Sequence, residues 1–203
     1  MDKEQVTRNR ILEHAMQQFA VIGYSNISTA QLAADLKMSK STLYKYYPSK
    51  ESLLFAVIDA FYQSFEEEIQ RIINNDQLRF TEKVQMFLLS VRKRFSGLAP
   101  SVVEDVRRAV PEAYERLEEG RKHIITETLI GIFKQGAKDG LIRLDISPVI
   151  IVNVLIQAQQ YLEDPAVISS LSYNFTDMFQ KVFSIIMEGC LSDQGRELFH
   201  QLN

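Results

Sequence analysis

Three serines mark out the stretch that most constrains what this chain can become. Ser28 opens Ser28-Thr29-Ala30-Gln31, a capping box with serine at the N-cap and glutamine three positions on. Ser39 can accept an orphan N–H at the start of 40–46, and Ser49, after the stop at Pro48, opens another run. Between these signals lie two short helices, over about 29–36 and 40–46, joined by a turn at Lys37-Met38. Leu32, Ala33 and Leu36 give the earlier one a buried side, and Leu43 anchors the later one. Two short helices on a tight turn form a helix-turn-helix layout, whose second helix has the dimensions to enter a major groove.

The rest of the chain also reads as helix. Ile11, Leu12, Ala15, Phe19 and Ile22 recur at helical spacing over about 5–22, and Gly23 follows where a helix end favours a left-handed residue. A long helix over about 50–74 carries Leu53, Leu54, Val57, Ile58, Phe61, Phe65, Ile69 and Ile72. At about 1.5 Å per residue it reaches well beyond the head. Further helices are expected over about 80–95, 100–109, 112–138, 148–163 and 172–190, with Gly140 ending the third of these. Ser147-Pro148 starts the fourth and Pro165 closes it. No period-2 run, repeat or low-complexity segment interrupts the pattern. The expected fold is all-α: a helix-turn-helix domain over residues 1–50, then a second, helical domain over 51–203, for which ligand binding and dimerisation are argued below.

Charge sharpens the head. The chain carries a net charge of −3, yet residues 1–50 hold seven basic and four acidic side chains. A basic head on an acidic body suits contact with a polyanion. The single Cys190 excludes an internal disulfide framework. MDKEQVTRNR has no apolar signal core, and the longest apolar runs fall far short of the ~20 residues that span a bilayer. A cytoplasmic protein with no membrane partner is expected.

On the 40–46 helix, Lys40, Ser41, Thr42, Tyr44, Lys45 and Tyr46 are long or polar donors. Lysines neutralise phosphate, hydroxyls bond phosphate oxygens, and a helix N-terminus adds free N–H groups. Chemistry of a catalytic kind is not legible. His14, His123 and His200 share no ligand spacing, and no nucleophile elbow, P-loop or dinucleotide fingerprint occurs. The expectation is no enzyme, no metal and no cofactor.

The first 57 residues resemble the TetR family of bacterial transcriptional regulators. The residues that carry the resemblance are Ile11-Leu12, Phe19, Gly23-Tyr24, Ser28-Thr29, Leu32-Ala33 and the run Ser39-Lys40-Ser41-Thr42-Leu43-Tyr44-Lys45-Tyr46-Tyr47-Pro48-Ser49-Lys50-Glu51-Ser52-Leu53. Gly-Leu-Ile-Arg-x-Asp-x-x-Pro at 140–148 matches a connector of the same architecture. Three positions depart from the pattern. Lys37 stands where the family has glycine, and a left-handed residue there costs a side chain roughly 1 kcal/mol. Tyr47 replaces phenylalanine and needs a hydroxyl partner. Ala30 lacks the side chain that some relatives aim at bases.

The resemblance implies that Thr29, Tyr44, Tyr46 and Lys50 hold phosphates, and that Lys40, Ser41, Thr42 and Lys45 face base edges. A lysine there predicts guanine in the half-site. It also implies a homodimeric regulator on double-stranded, palindromic operator DNA, most simply a repressor, released by a small-molecule effector. The alternative is a small-molecule- or protein-binding helical dimer whose DNA-binding head is vestigial.

Two C-terminal helices fit dimerisation. The 148–162 segment is apolar nearly all round, and the 172–190 segment has a face too broad for one contact. A helix apolar on several sides is buried on several sides. A two-fold four-helix interface would bury Ile151, Leu155, Phe175, Phe179, Val182, Phe183 and Ile186. Asn153, Gln157 and Tyr161 form a polar stripe that either lines an effector pocket or hydrogen-bonds across that interface. Met86, Phe87, Ser90, Phe95, Tyr114, Ile124 and Thr128 complete the candidate pocket. Its apolar and aromatic character calls for a lipophilic ligand.

Overall fold

A computed structural model describes residues 3–96, 99–163 and 175–200, which form ten α-helices and no strand. They are α1 (Lys3–Ile22), α2 (Thr29–Asp35), α3 (Lys40–Tyr46), α4 (Lys50–Ile73) and α5 (Phe80–Ser96). Then come α6 (Pro100–Ala109), α7 (Pro111–Lys138), α8 (Pro148–Glu163), α9 (Phe175–Cys190) and α10 (Asp193–His200). Nine of these follow the periodicity. The last, eight charged and polar residues for the most part, was not anticipated. The stop expected at Pro165 and the expected first turn of the 172–190 helix lie outside the described residues.

The serine signals act as the sequence suggests. Ser28 and Ser39 are extended, and their hydroxyls accept from Gln31 N–H (3.2 Å) and Thr42 N–H (2.9 Å). Ser49 and Ser52 cap reciprocally: each backbone N–H donates to the other's hydroxyl, at 3.0 and 2.9 Å. The turn after α2 is left-handed at Lys37, with φ of 54°. Met38 N–H returns to Ala33 C=O and Lys37 N–H to Ala34 C=O, both at 2.9 Å. This is a Schellman end with lysine in the seat that glycine fills without cost.

The chain divides into two compact units. One holds the chain up to Gln70 together with Leu89–Lys122; the other holds Arg71–Leu88 and the chain from His123 onward. In the first unit, Ile11, Ala15 and Phe19 of α1 pack with Leu32 and Leu43 of the two short helices. That core is not closed at residue 50. Leu53, Leu54, Val57 and Ile58 of α4 complete it, with Val106, Val110 and Ala113 from the α6–α7 region.

In the second unit α8 packs against α9. Ile151, Val152, Leu155, Met187, Cys190 and Leu191 are buried, and Phe80 meets Phe133 edge-on at 5.6 Å. The 140–148 connector is pinned to the end of α9. Arg143 N–H donates to Cys190 C=O at 2.9 Å, while the Arg143 guanidinium reaches Gly189 C=O and holds Asp145 at 2.6 Å. No described helix is long and apolar enough to cross a membrane.

Candidate nucleic-acid interface and cavity

The α3 helix is held by one buried residue and shows the rest to solvent. Leu43 is fully buried, while Lys40, Ser41, Thr42, Tyr44 and Lys45 are exposed and Tyr46 is half-buried. With only seven residues, α3 depends on its ends. The Ser39 cap fixes the first turn and also bonds the Thr42 hydroxyl at 2.7 Å. At the other end Tyr47 is buried, and its hydroxyl donates to Arg8 C=O at 3.4 Å. The Arg8 guanidinium lies 5.3 Å from the Tyr47 ring centre. Burial raises the Tyr47 pKa against the opposing pull of Arg8, so the extra hydroxyl stays protonated and serves packing.

The phosphate-facing candidates are arranged unequally. Thr29 is buried (7% exposed), and its hydroxyl pairs with the Tyr44 hydroxyl at 3.0 Å. Thr29 therefore sits behind Tyr44, which is 39% exposed and stands at the surface. Lys45 is exposed but not free: its ammonium donates to Glu4 at 2.8 Å. The hydrogen bond and the attraction raise the Lys45 pKa and lower that of Glu4. Lys50 lies over the Tyr24 ring at 4.2 Å, and burial lowers its pKa while the nearby Asp105 carboxylate pulls it back up.

Asp105 was not singled out in the sequence. From α6, its carboxylate accepts the Ser25 N–H at 2.8 Å beside Gly23. Gly23 has φ of 94°, and a Cβ there would come within 3.0 Å of Asp105 Oδ2. Burial opposes the charge on Asp105, but the Ser25 and Tyr24 hydrogen bonds and Lys50 hold its pKa below the usual carboxylate value. Arg10, donating to Leu36 C=O, and Glu4 were missed likewise. Each acts across a long sequence separation, and no local pattern announces such a contact.

A cavity of about 470 Å³ lies wholly within the first unit. Met16 and Phe19 of α1, Leu54 and Phe61 of α4, and Val103 and Val106 of α6 form apolar walls, with Glu68, Ser90, Lys93 and Arg94 as its polar members. Of the candidate effector residues only Ser90 lines it. Phe95 and Tyr114 are half-buried members of the same unit, and Phe95 meets the Phe61 and Phe65 rings. Met86, Phe87, Ile124, Thr128, Asn153, Gln157 and Tyr161 belong to the second unit. There Phe87 and Thr128 are buried, Ile124 is half-buried, and Met86, Asn153, Gln157 and Tyr161 are exposed.

The candidate interface residues also separate. Ile151 and Leu155 are 3% and 2% exposed inside their own chain. The exposed large apolar residues of α8 are instead Val149, Ile150, Val154 and Tyr161, and α9 adds Ile185 at 71%. A helix apolar on every side has no phase in its sequence, so its inward side emerges only from packing. Val182, Phe183 and Ile186 are half-buried, and the Phe175 and Phe179 side chains lie outside the described residues.

Residues 11–57 match the family model for bacterial regulatory proteins of the tetR family. Over 189 residues the chain is 27% identical to the HTH-type transcriptional regulator YvaF of Bacillus subtilis (strain 168), covering 91% of this chain and 96% of that one. A TetR-family transcriptional regulator from Mesorhizobium loti superposes with a TM-score of 0.72 at 14% identity, covering 95% of this chain and 100% of the other. The fatty acid degradation regulator FadR from Bacillus halodurans gives 0.64 at 18% identity, over 90% and 95%. At such identities the two structures establish a shared fold.

Proposed function

We propose that this chain is a regulator of the TetR family, a homodimeric repressor that grips a palindromic operator and releases it when a lipophilic effector binds. The observation that carries the DNA-binding half is the presentation of α3: one buried leucine, a serine-capped N-terminus, and Lys40, Ser41, Thr42 and Lys45 turned to solvent. In this reading those four meet base edges. Tyr44, Tyr46 and Lys50 meet phosphates, with Thr29 holding Tyr44 in place. The protein works on the chromosome, in the cytoplasm.

Two copies joined through the exposed Ile150, Val154, Tyr161 and Ile185 would bury a face that water otherwise covers. A two-fold dimer then requires half-sites about 34–36 Å apart, or a multiple. Release is a population shift, so the effector must bind the DNA-incompetent state more tightly. A lipophilic effector is in keeping with an apolar cavity, and with the fatty-acid regulator that shares the fold.

The test is selection of sites from sheared genomic DNA by the purified protein at two salt concentrations. One palindromic motif, enriched at low salt and lost at high salt, is the expected result, because phosphate contacts through lysine weaken steeply with salt. Absence of any enriched sequence from ligand-stripped protein would sink the reading.

A further inference from the structure

Arg94 projects from α5 beside the cavity of the first unit, and its surroundings say what that cavity prefers. Its guanidinium stacks on Phe61 and Phe65 at 5.3 and 5.2 Å, and it donates to Ser64 at 3.1 Å and Glu68 at 3.2 Å. Lys93 stands next to it. Glu68 balances one of these two cations, so the polar end keeps one net positive charge. The remaining wall is aliphatic and aromatic, and the volume of about 470 Å³ falls in the range of small-molecule sites. We propose that this cavity binds an amphipathic small molecule, an apolar body carrying one acidic group, with the acid at Arg94 and Lys93. This rests on the regulator reading above and differs from it in place and in charge: most of the sequence-derived pocket lies in the other unit.

The location explains how such a ligand reaches the DNA. Met16 and Phe19 belong to α1, so the head itself forms part of the wall. Val103 and Val106 flank Asp105 on α6, which holds the Gly23–Ser25 turn. A molecule in the cavity pushes on both without an intermediary.

Anilinonaphthalene sulfonate and its uncharged parent, phenylnaphthylamine, share an apolar body, differ by one acid, and both brighten on leaving water. Titrated into the full chain, the sulfonate should bind roughly tenfold or more tightly, as expected of a charge-assisted contact. Lys93→Gln and Arg94→Gln should erase that preference, and filling the space with Val103→Trp or, independently, with a phenylalanine at Ala20, which lines the cavity from α1 (Ala20→Phe), should abolish binding of both dyes. Equal affinities would overturn the acid preference. Sulfonate binding unchanged in both filled variants, or no binding at all, would overturn the site. DNA selection without dye separates this inference from the regulator reading. A protein that selects an operator but ignores the sulfonate loses only the cavity proposal; one that binds the sulfonate there but selects no DNA loses only the repressor proposal.

Discussion

The hydroxyl pair between Thr29 and Tyr44 can serve the fold, the DNA, or both, and a double-mutant cycle separates these. Tyr44→Phe strips the partner from a buried threonine hydroxyl. An orphaned buried polar group costs about 1–3 kcal/mol, and the partly exposed Tyr44 ring lets water approach, so about 1 kcal/mol is expected here. Thr29→Val removes an acceptor from a phenol that solvent already reaches, at a smaller cost. With both hydroxyls gone nothing is left unpaired, and the double variant should return to within about 0.5 kcal/mol of the parent. For a protein of this size 1 kcal/mol moves the melting temperature by about 2–4 °C. Calorimetry should therefore show Tyr44→Phe melting a few degrees low and the double variant recovering. Operator affinity should not recover. A hydroxyl bonded to a charged phosphate is worth about 1.5–3 kcal/mol, roughly tenfold to a hundredfold per half-site, and both variants lack it. The slope of log affinity against log salt should stay the same, since a neutral hydroxyl displaces no counterion. A double variant that recovers full operator affinity along with its melting temperature would refute the reasoning: the hydroxyl would then serve Thr29 alone.

Lys37→Gly should raise the melting temperature by about 1–4 °C, because the left-handed seat penalises a side chain by about 1–2 kcal/mol while glycine's flexibility returns part of that; Lys37→Ala should give no such gain in the same scan. Lys45→Ala should change which bases are preferred in a selection experiment, whereas weaker binding with unchanged preference would make Lys45 a phosphate contact. Glu4→Gln breaks the Lys45 ion pair and takes an acid from the face proposed to meet DNA, so operator affinity should rise roughly twofold to fivefold per half-site at low salt; no rise in an anisotropy titration would count against Lys45 being held in reserve by Glu4. Ile150→Glu should give monomers by light scattering, and an unaltered dimer would move the interface off the exposed side of α8. Burial pushes the Cys190 thiol up to about 11. The unfolded chain loses that proton first, so stability contributed at lower pH should fall between about pH 9 and 11. Cys190→Ala should flatten that part of the stability profile, and an unchanged slope would contradict the buried thiol.

What the sequence disclosed and what it withheld divide by the range of the physics involved. Ser28, Ser39 and Ser49 act on groups within four residues of themselves, so their caps were legible, and each hydroxyl accepts a backbone N–H three residues on. Lys37 was flagged by the resemblance, which puts glycine at that seat; the turn keeps its left-handed form there, with lysine at positive φ. Tyr47 announced a hydroxyl that needed a partner, but not that Arg8, from the first helix, would accept it. Packing phase was the next loss. Ile151 and Ile150 are equally apolar neighbours, and only the folded unit decides that the first is core and the second exposed. The cavity was the furthest out of reach, because five helices have to converge before it exists. The polar residues at its end read, in sequence, as an ordinary charged run along a helix. Arg94 becomes distinctive only once Phe61, Phe65, Ser64 and Glu68 are gathered around it. The proposed recognition of DNA is thus written in local chemistry, whereas the proposed response to a ligand is written in tertiary contacts. One sequence motif can accordingly stay constant while the cavity beside it is refitted to a different molecule by a few core substitutions.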